Sequence, residues 1–134
     1  YADTRVLHSF PTRRSSDLSP LFDFIFGSWK KINTRLTGET YAIAGDPAYV
    51  PYKIMASDEL AMSVAMAFEN AKVVVMQNHG VVTAGDDLSE CFNRLEVLES
   101  AAHLCFNLAT IGGAPGLSNE ETKRIDELLK KIKS

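Results

Sequence analysis

The residues with the clearest chemical potential lie in one stretch, Val73-Val74-Val75-Met76-Gln77-Asn78-His79-Gly80-Val81-Val82-Thr83-Ala84-Gly85. His79 sits at the mouth of an apolar run, in an Asn78-His79-Gly80 turn. A rigid strand end can hold an imidazole in one orientation, which metal ligation needs. Histidine is the commonest metal ligand, and the neutral ring suits zinc. Gly80 allows positive φ, so that the backbone can turn sharply beneath the ring. Taken alone, a histidine in a turn is more often structural or simply exposed. The residue type and spacing therefore admit a metal ligand without requiring one.

The other reactive side chains have plainer explanations. Asp86 and Asp87 precede an apolar-periodic segment, where helix capping outweighs metal binding. Glu96 and Glu99 fit a solvated helix face better than an acid/base pair. His103 falls beside the buried stripe of the same helix, which favours a packing or half-exposed role. Cys91 and Cys105 lie on that helix about 21 Å apart, too far to bridge. They are expected to be free thiols, in keeping with a reducing cytoplasm. Met55, Met62, Met66 and Met76 are expected as core filler. Tyr41, Tyr49 and Tyr52 are placed at a subunit interface, where aromatic side chains are favoured.

The elements that must position His79 follow from periodicity. A short helix is predicted over 37–44, ended by Gly45. Asp46-Pro47 marks a turn, and 48–53 is a short or edge strand because of Pro51. Ser57 caps a helix reaching about Asn70, with Asp58 and Glu59 at its positive end and Leu60, Val64 and Phe68 on its buried stripe. Val73 to Met76 reads as a strand buried on both faces. Val81 to Thr83 follows so closely that the two should form an antiparallel hairpin. Asp87 with Glu90 opens a long helix carrying Leu88, Cys91, Leu95, Leu98, Ala102, Cys105 and Ala109, and Gly112-Gly113 ends it. Ser118 with Glu121 opens the last helix. Its stripe is Ile125, Leu128, Leu129 and Ile132, and Lys130, Lys131 and Lys133 lie at its negative end. This order indicates a layered α/β domain.

Composition bounds the rest. The chain has 134 residues, 46% hydrophobic and 23% charged, enough for one domain with a real core. The net charge of −3 leaves no basic footprint for nucleic acid. No apolar run reaches the roughly eighteen residues that cross a membrane. Residues 1–18 show no periodicity, and Ser9-Phe10-Pro11-Thr12-Arg13-Arg14-Ser15-Ser16-Asp17-Leu18 resembles a translated sequencing adapter. They are read as a non-native segment, leaving 19–134 as the domain. Phe22, Phe24 and Phe26 alternate as in a short strand.

The apolar strand, the Gln77-Asn78-His79-Gly80 turn, the Val-rich strand, Gly85, Asp87-Leu88 and the long Glu-containing helix together resemble the class II aldolase/adducin family. Pro51-Tyr52, Ser57-Asp58-Glu59-Leu60 and Leu117-Ser118-Asn119-Glu120-Glu121 carry the resemblance further, from about Leu36 to Lys131. The resemblance implies a three-layer α/β/α class II aldolase-like domain, truncated here to its C-terminal half, and a homotetramer for the full-length parent. It implies a zinc ion held by three histidines, two of them in a His-x-His of the first half and the third matching His79. Asn78 and Gly80 would shape that turn. The implied activity is a carbon–carbon lyase acting on phosphorylated sugars. The alternatives are a sugar-phosphate 4-epimerase or dehydratase on the same scaffold, or a non-catalytic adducin-like interaction module. This chain contains no His-x-His; its other histidines are His8 and His103. None of Glu39, Glu59, Glu69 and Glu90 sits in a motif matching the family's catalytic glutamate, so no catalytic residue is assigned. The isolated fragment is expected to be inactive.

Overall fold

The computed structural model describes residues 31–133. The adapter-like residues 1–18 and the alternating Phe22, Phe24 and Phe26 lie outside the described residues.

Local chemistry sets each element. After a single 3-10 turn at Thr34–Leu36, helix α1 spans Gly38–Ala44. The Thr37 hydroxyl caps it by accepting the Thr40 N–H, and Gly45 ends it at φ 66°. Strand β1 is only Ala48–Val50, with Pro51 directly after it. Helix α2, Asp58–Ala67, starts where the Ser57 hydroxyl accepts the Leu60 N–H at 3.2 Å. Strands β2, Val73–Met76, and β3, Gly80–Thr83, form the expected antiparallel hairpin. Helix α3 spans Leu88–Ala109, capped by Asp87, and helix α4 spans Asn119–Lys133. Between them Gly112 and Gly113 both adopt φ 90°. The Ser118–Glu121 capping box forms reciprocally: Ser118 N–H donates to the Glu121 carboxylate at 2.8 Å, and Glu121 N–H to the Ser118 hydroxyl at 3.2 Å.

The sheet order is β1-β2-β3. β1 runs parallel to β2, with Ala48 opposite Val74 and Val50 opposite Met76. β2 runs antiparallel to β3, with Val73 opposite Thr83 and Met76 opposite Gly80. All four β2 residues are buried, because both faces are covered. Val73 and Val75 pack with Ile32, Ala44, Leu98, Ala101 and Ala102, on the side of α1 and α3. Val74 and Met76 pack with Val50 and Leu60, and with half-buried Val64 of α2 and Phe68 just after it. The strand alternation of period two thus feeds two cores, giving an α/β/α arrangement. Among the described residues no helix is long and apolar enough to cross a membrane.

Several expectations need correction. Met76 is core, but Met55, Met62 and Met66 are 65–68% exposed. Leu88 and Ala109 are exposed, whereas Arg94 is buried within the α3 stripe. On α4 the buried residue is Thr122; Ile125 and Leu129 are half-buried, and Leu128 and Ile132 are exposed. The α4 face toward α1 is therefore rotated from the apolar stripe. Two of the three tyrosines are tied within the chain. Tyr41 donates its hydroxyl to Asp126 at 3.2 Å, and Tyr49 accepts the Ile32 N–H at 2.7 Å. Burial pushes the Tyr49 phenol up to about 12. Tyr52 is exposed. Both cysteines are free, Cys91 buried and Cys105 half-buried.

Candidate functional site

Because β1 and β2 are parallel, their carboxyl ends open on one rim of the sheet, the usual place for a site in an α/β fold. Residues 51–57 leave β1 at this rim, and Gln77, Asn78 and His79 leave β2. The hairpin closes through Met76 and Gly80, which pair across it, and the His79 N–H donates to the Met76 carbonyl at 3.2 Å. His79 is exposed, with its backbone fixed by the strands on either side. The left-handed residue of the turn is Asn78, at φ 53°, and not Gly80. Asparagine tolerates this region better than most side chains. Gly80 has negative-φ strand geometry, and a Cβ there would meet nothing within 4 Å. Asn78 therefore makes the bend attributed to Gly80.

Gln77, quoted within the motif but given no role, is the main site residue that sequence reasoning missed. Its N–H donates to the Val50 carbonyl at 3.0 Å, and its side-chain carbonyl accepts the Tyr52 N–H at 3.1 Å. The only sequence signal was an amide side chain directly after a fully buried strand. Nearby, Lys53 pairs with Glu59, and Ala56 takes φ 60° at the entry to α2.

The remaining polar candidates are structural. Asp87 accepts the Glu90 N–H at 2.7 Å, a cap, and the Glu90 carboxylate accepts the Asp86 N–H at 2.7 Å. Glu90 also pairs with Arg94, whose guanidinium donates to the Ala84 carbonyl at 2.8 Å. The hydrogen bond from Arg94 and that from Asp86 hold the Glu90 carboxyl down at about 2, so it stays ionised near neutrality. Glu96 is exposed, and Glu99 and His103 are half-buried on α3.

A catalytic zinc takes about three protein ligands and keeps one position open. The described residues contain no group of three or more His, Cys, Asp or Glu side chains able to hold a metal. His79 has the right chemistry and exposure for one ligand, but residues 31–133 do not complete a zinc site around it.

The family model for the class II aldolase and adducin N-terminal domain matches residues 25–106. The chain belongs to the class II aldolase and adducin family. The family match starts at residue 25, ahead of Leu36, and stops within α3, so α4 lies beyond it. A protein of Methanococcus maripaludis named L-fuculose phosphate aldolase is 36% identical over 77 residues, covering 58% of this chain and 41% of that protein. A rhamnulose-1-phosphate aldolase of Bacteroides thetaiotaomicron is 30% identical over 77 residues, covering 57% of this chain and 29% of its own length. Among solved structures, YgbL of Klebsiella pneumoniae superposes with a TM-score of 0.70 at 26% identity, over 80% of this chain and 53% of YgbL. The chain thus spans 41% and 29% of these two curated relatives and about half of the structural one. Within that span the class II aldolase fold is retained.

Proposed function

We propose that this chain is part of a zinc-dependent aldolase that breaks a carbon–carbon bond in a phosphorylated sugar. His79 is then one ligand of the cation, Asn78 and Gly80 shape its turn, and the remaining nitrogen donors come from a His-x-His outside residues 31–133. The observation that carries this reading is the exposed imidazole at the carboxyl rim of the parallel β1–β2 pair, on a turn fixed by the β2–β3 ladder. The names of the two curated relatives, aldolases of fuculose phosphate and rhamnulose 1-phosphate, supply the substrate class. In the same reading residues 1–18 are non-native, 19–134 are the C-terminal part of the domain, and the full-length parent is a cytoplasmic homotetramer.

The chain supplies one imidazole, and among the described residues no group of three or more His, Cys, Asp or Glu side chains could hold a metal. The 134-residue chain is accordingly inactive by itself. Sequencing the uninterrupted parent gene, then assaying its product for retro-aldol cleavage of fuculose 1-phosphate and rhamnulose 1-phosphate, tests the proposal. A His-x-His upstream and zinc-dependent cleavage are expected. A parent without that pair leaves a non-catalytic, adducin-like module as the better reading.

A further inference from the structure

Gln77 is the residue of the His79 turn that reaches into a second element. Its backbone N–H extends the β1–β2 ladder one residue beyond Met76, onto the Val50 carbonyl at 3.0 Å. In a parallel ladder alternate residues face the same neighbour, so the next donor toward β2 after Val50 is Tyr52, beyond Pro51. Here the Gln77 side chain takes the place of its backbone carbonyl. The Gln77 carboxamide oxygen accepts the following donor, the Tyr52 N–H, at 3.1 Å. One residue therefore makes two hydrogen bonds to the segment that leaves β1. On its other side it is joined to Asn78 in the left-handed region, and then to His79, whose N–H returns to Met76. Val50 and Met76 are buried beneath this junction, Gln77 is half-buried and Tyr52 is exposed.

We propose that Gln77 is a positioning residue: its carboxamide clasps the 51–57 loop onto the His79 turn, so that the imidazole presents a single orientation at the sheet rim. The purpose of that orientation rests on the aldolase reading above; the clasp itself does not. Glutamate at this position keeps an acceptor oxygen at the same reach, asparagine falls one methylene short, and alanine removes the acceptor.

The test uses the full chain, with amide hydrogen exchange and relaxation of the His79 ring followed by NMR. Gln77→Ala should speed exchange of the Tyr52 amide by about tenfold, the loss of one hydrogen bond, while the Val74 and Val75 amides in the core ladder keep their protection. The His79 ring should become more mobile, and Gln77→Glu should restore both signals. A ring equally ordered in Gln77→Ala overturns the proposal, whatever Tyr52 does. If Gln77→Ala unfolds, Gln77→Asn against Gln77→Glu decides: asparagine must free the ring and glutamate must hold it. Zinc content of the uninterrupted parent protein and of its His79→Ala variant separates the two readings. Equal zinc content in both counts against the metal ligand and leaves the clasp result standing.

Discussion

Glu90 and Arg94 form an ion pair one helical turn apart on α3, beneath the junction that leads out of β3. Arg94 is only 3% exposed. Glu90 binds the Asp86 N–H and Arg94 binds the Ala84 carbonyl, so the pair ties both sides of Gly85 to the helix. The Arg94 Nε is buried without a hydrogen-bond partner among the described residues, so the guanidinium depends on Glu90 for its compensating charge.

Removing the carboxylate should therefore be costly. Glu90→Ala is expected to destabilise the fold by about 3 kcal/mol, since it leaves a buried cation unpaired. Urea unfolding measures this, and a loss within the scatter of surface substitutions would contradict it. The pH dependence has a definite sign. The folded Glu90 carboxyl titrates at about 2 against an ordinary value of 4.5, so its contribution is complete above pH 4.5 and is lost as pH falls toward 2. Glu90→Gln should flatten that part of the stability profile.

Gly85 is required by space. A Cβ there would lie 2.6 Å from an Arg94 guanidinium nitrogen, 2.9 Å from a Glu90 carboxylate oxygen and 3.1 Å from the Cys91 sulfur. These side chains are held by each other and by the core, so they yield at a cost. Gly85→Ala should destabilise by about 1–3 kcal/mol, as overpacking does. A thermal midpoint equal to that of the unaltered chain would show that the pair moves freely.

The two turn residues beside His79 should respond unequally. Asn78→Val places a β-branched side chain at φ 53° and is expected to cost about 1–2 kcal/mol. Gly80→Ala meets open space at ordinary φ and should change stability by less than about 0.5 kcal/mol. Chemical denaturation of both variants checks the pair; a larger loss at Gly80 would reverse the assignment of the bend.

Methionine burial divides along the same lines. Met76→Ala removes a core side chain and should cost about 2–3 kcal/mol. Met62→Lys and Met66→Lys alter exposed positions of α2 and should each stay within about 0.5 kcal/mol. Equal losses at all three positions, measured by urea unfolding, would place the outer face of α2 in a core.

Much of the fold was legible because its signals are local. Ser57, Asp87 and Ser118 are caps that depend only on the residues that follow them, and all three act as read. The Val73–Met76 run declares a doubly covered strand, and Gly45 and Gly112-Gly113 end their helices. The illegible features depend on which face meets a neighbour. Met62 and Met66 share a helix with buried Leu60, and periodicity alone does not say how wide the covered stripe is. The burial of Arg94 depends on Ala84 and Glu90, which the fold brings around it. Asn78 and Gly80 can both turn the chain, so composition could not decide between them. Gln77 reaches Tyr52 only because the β1–β2 register brings residues 25 apart in sequence together. The metal reading of His79 rests on the resemblance alone, since among the described residues no group of three or more His, Cys, Asp or Glu side chains gathers to hold a cation.

The central claim is that His79 is a cation ligand. Zinc content and retro-aldol turnover of the uninterrupted parent protein, compared with its His79→Ala variant, test it most directly. The account predicts bound zinc in the parent and its loss in the variant, together with turnover, while circular dichroism shows the same fold. Full zinc content and undiminished cleavage in His79→Ala would contradict it.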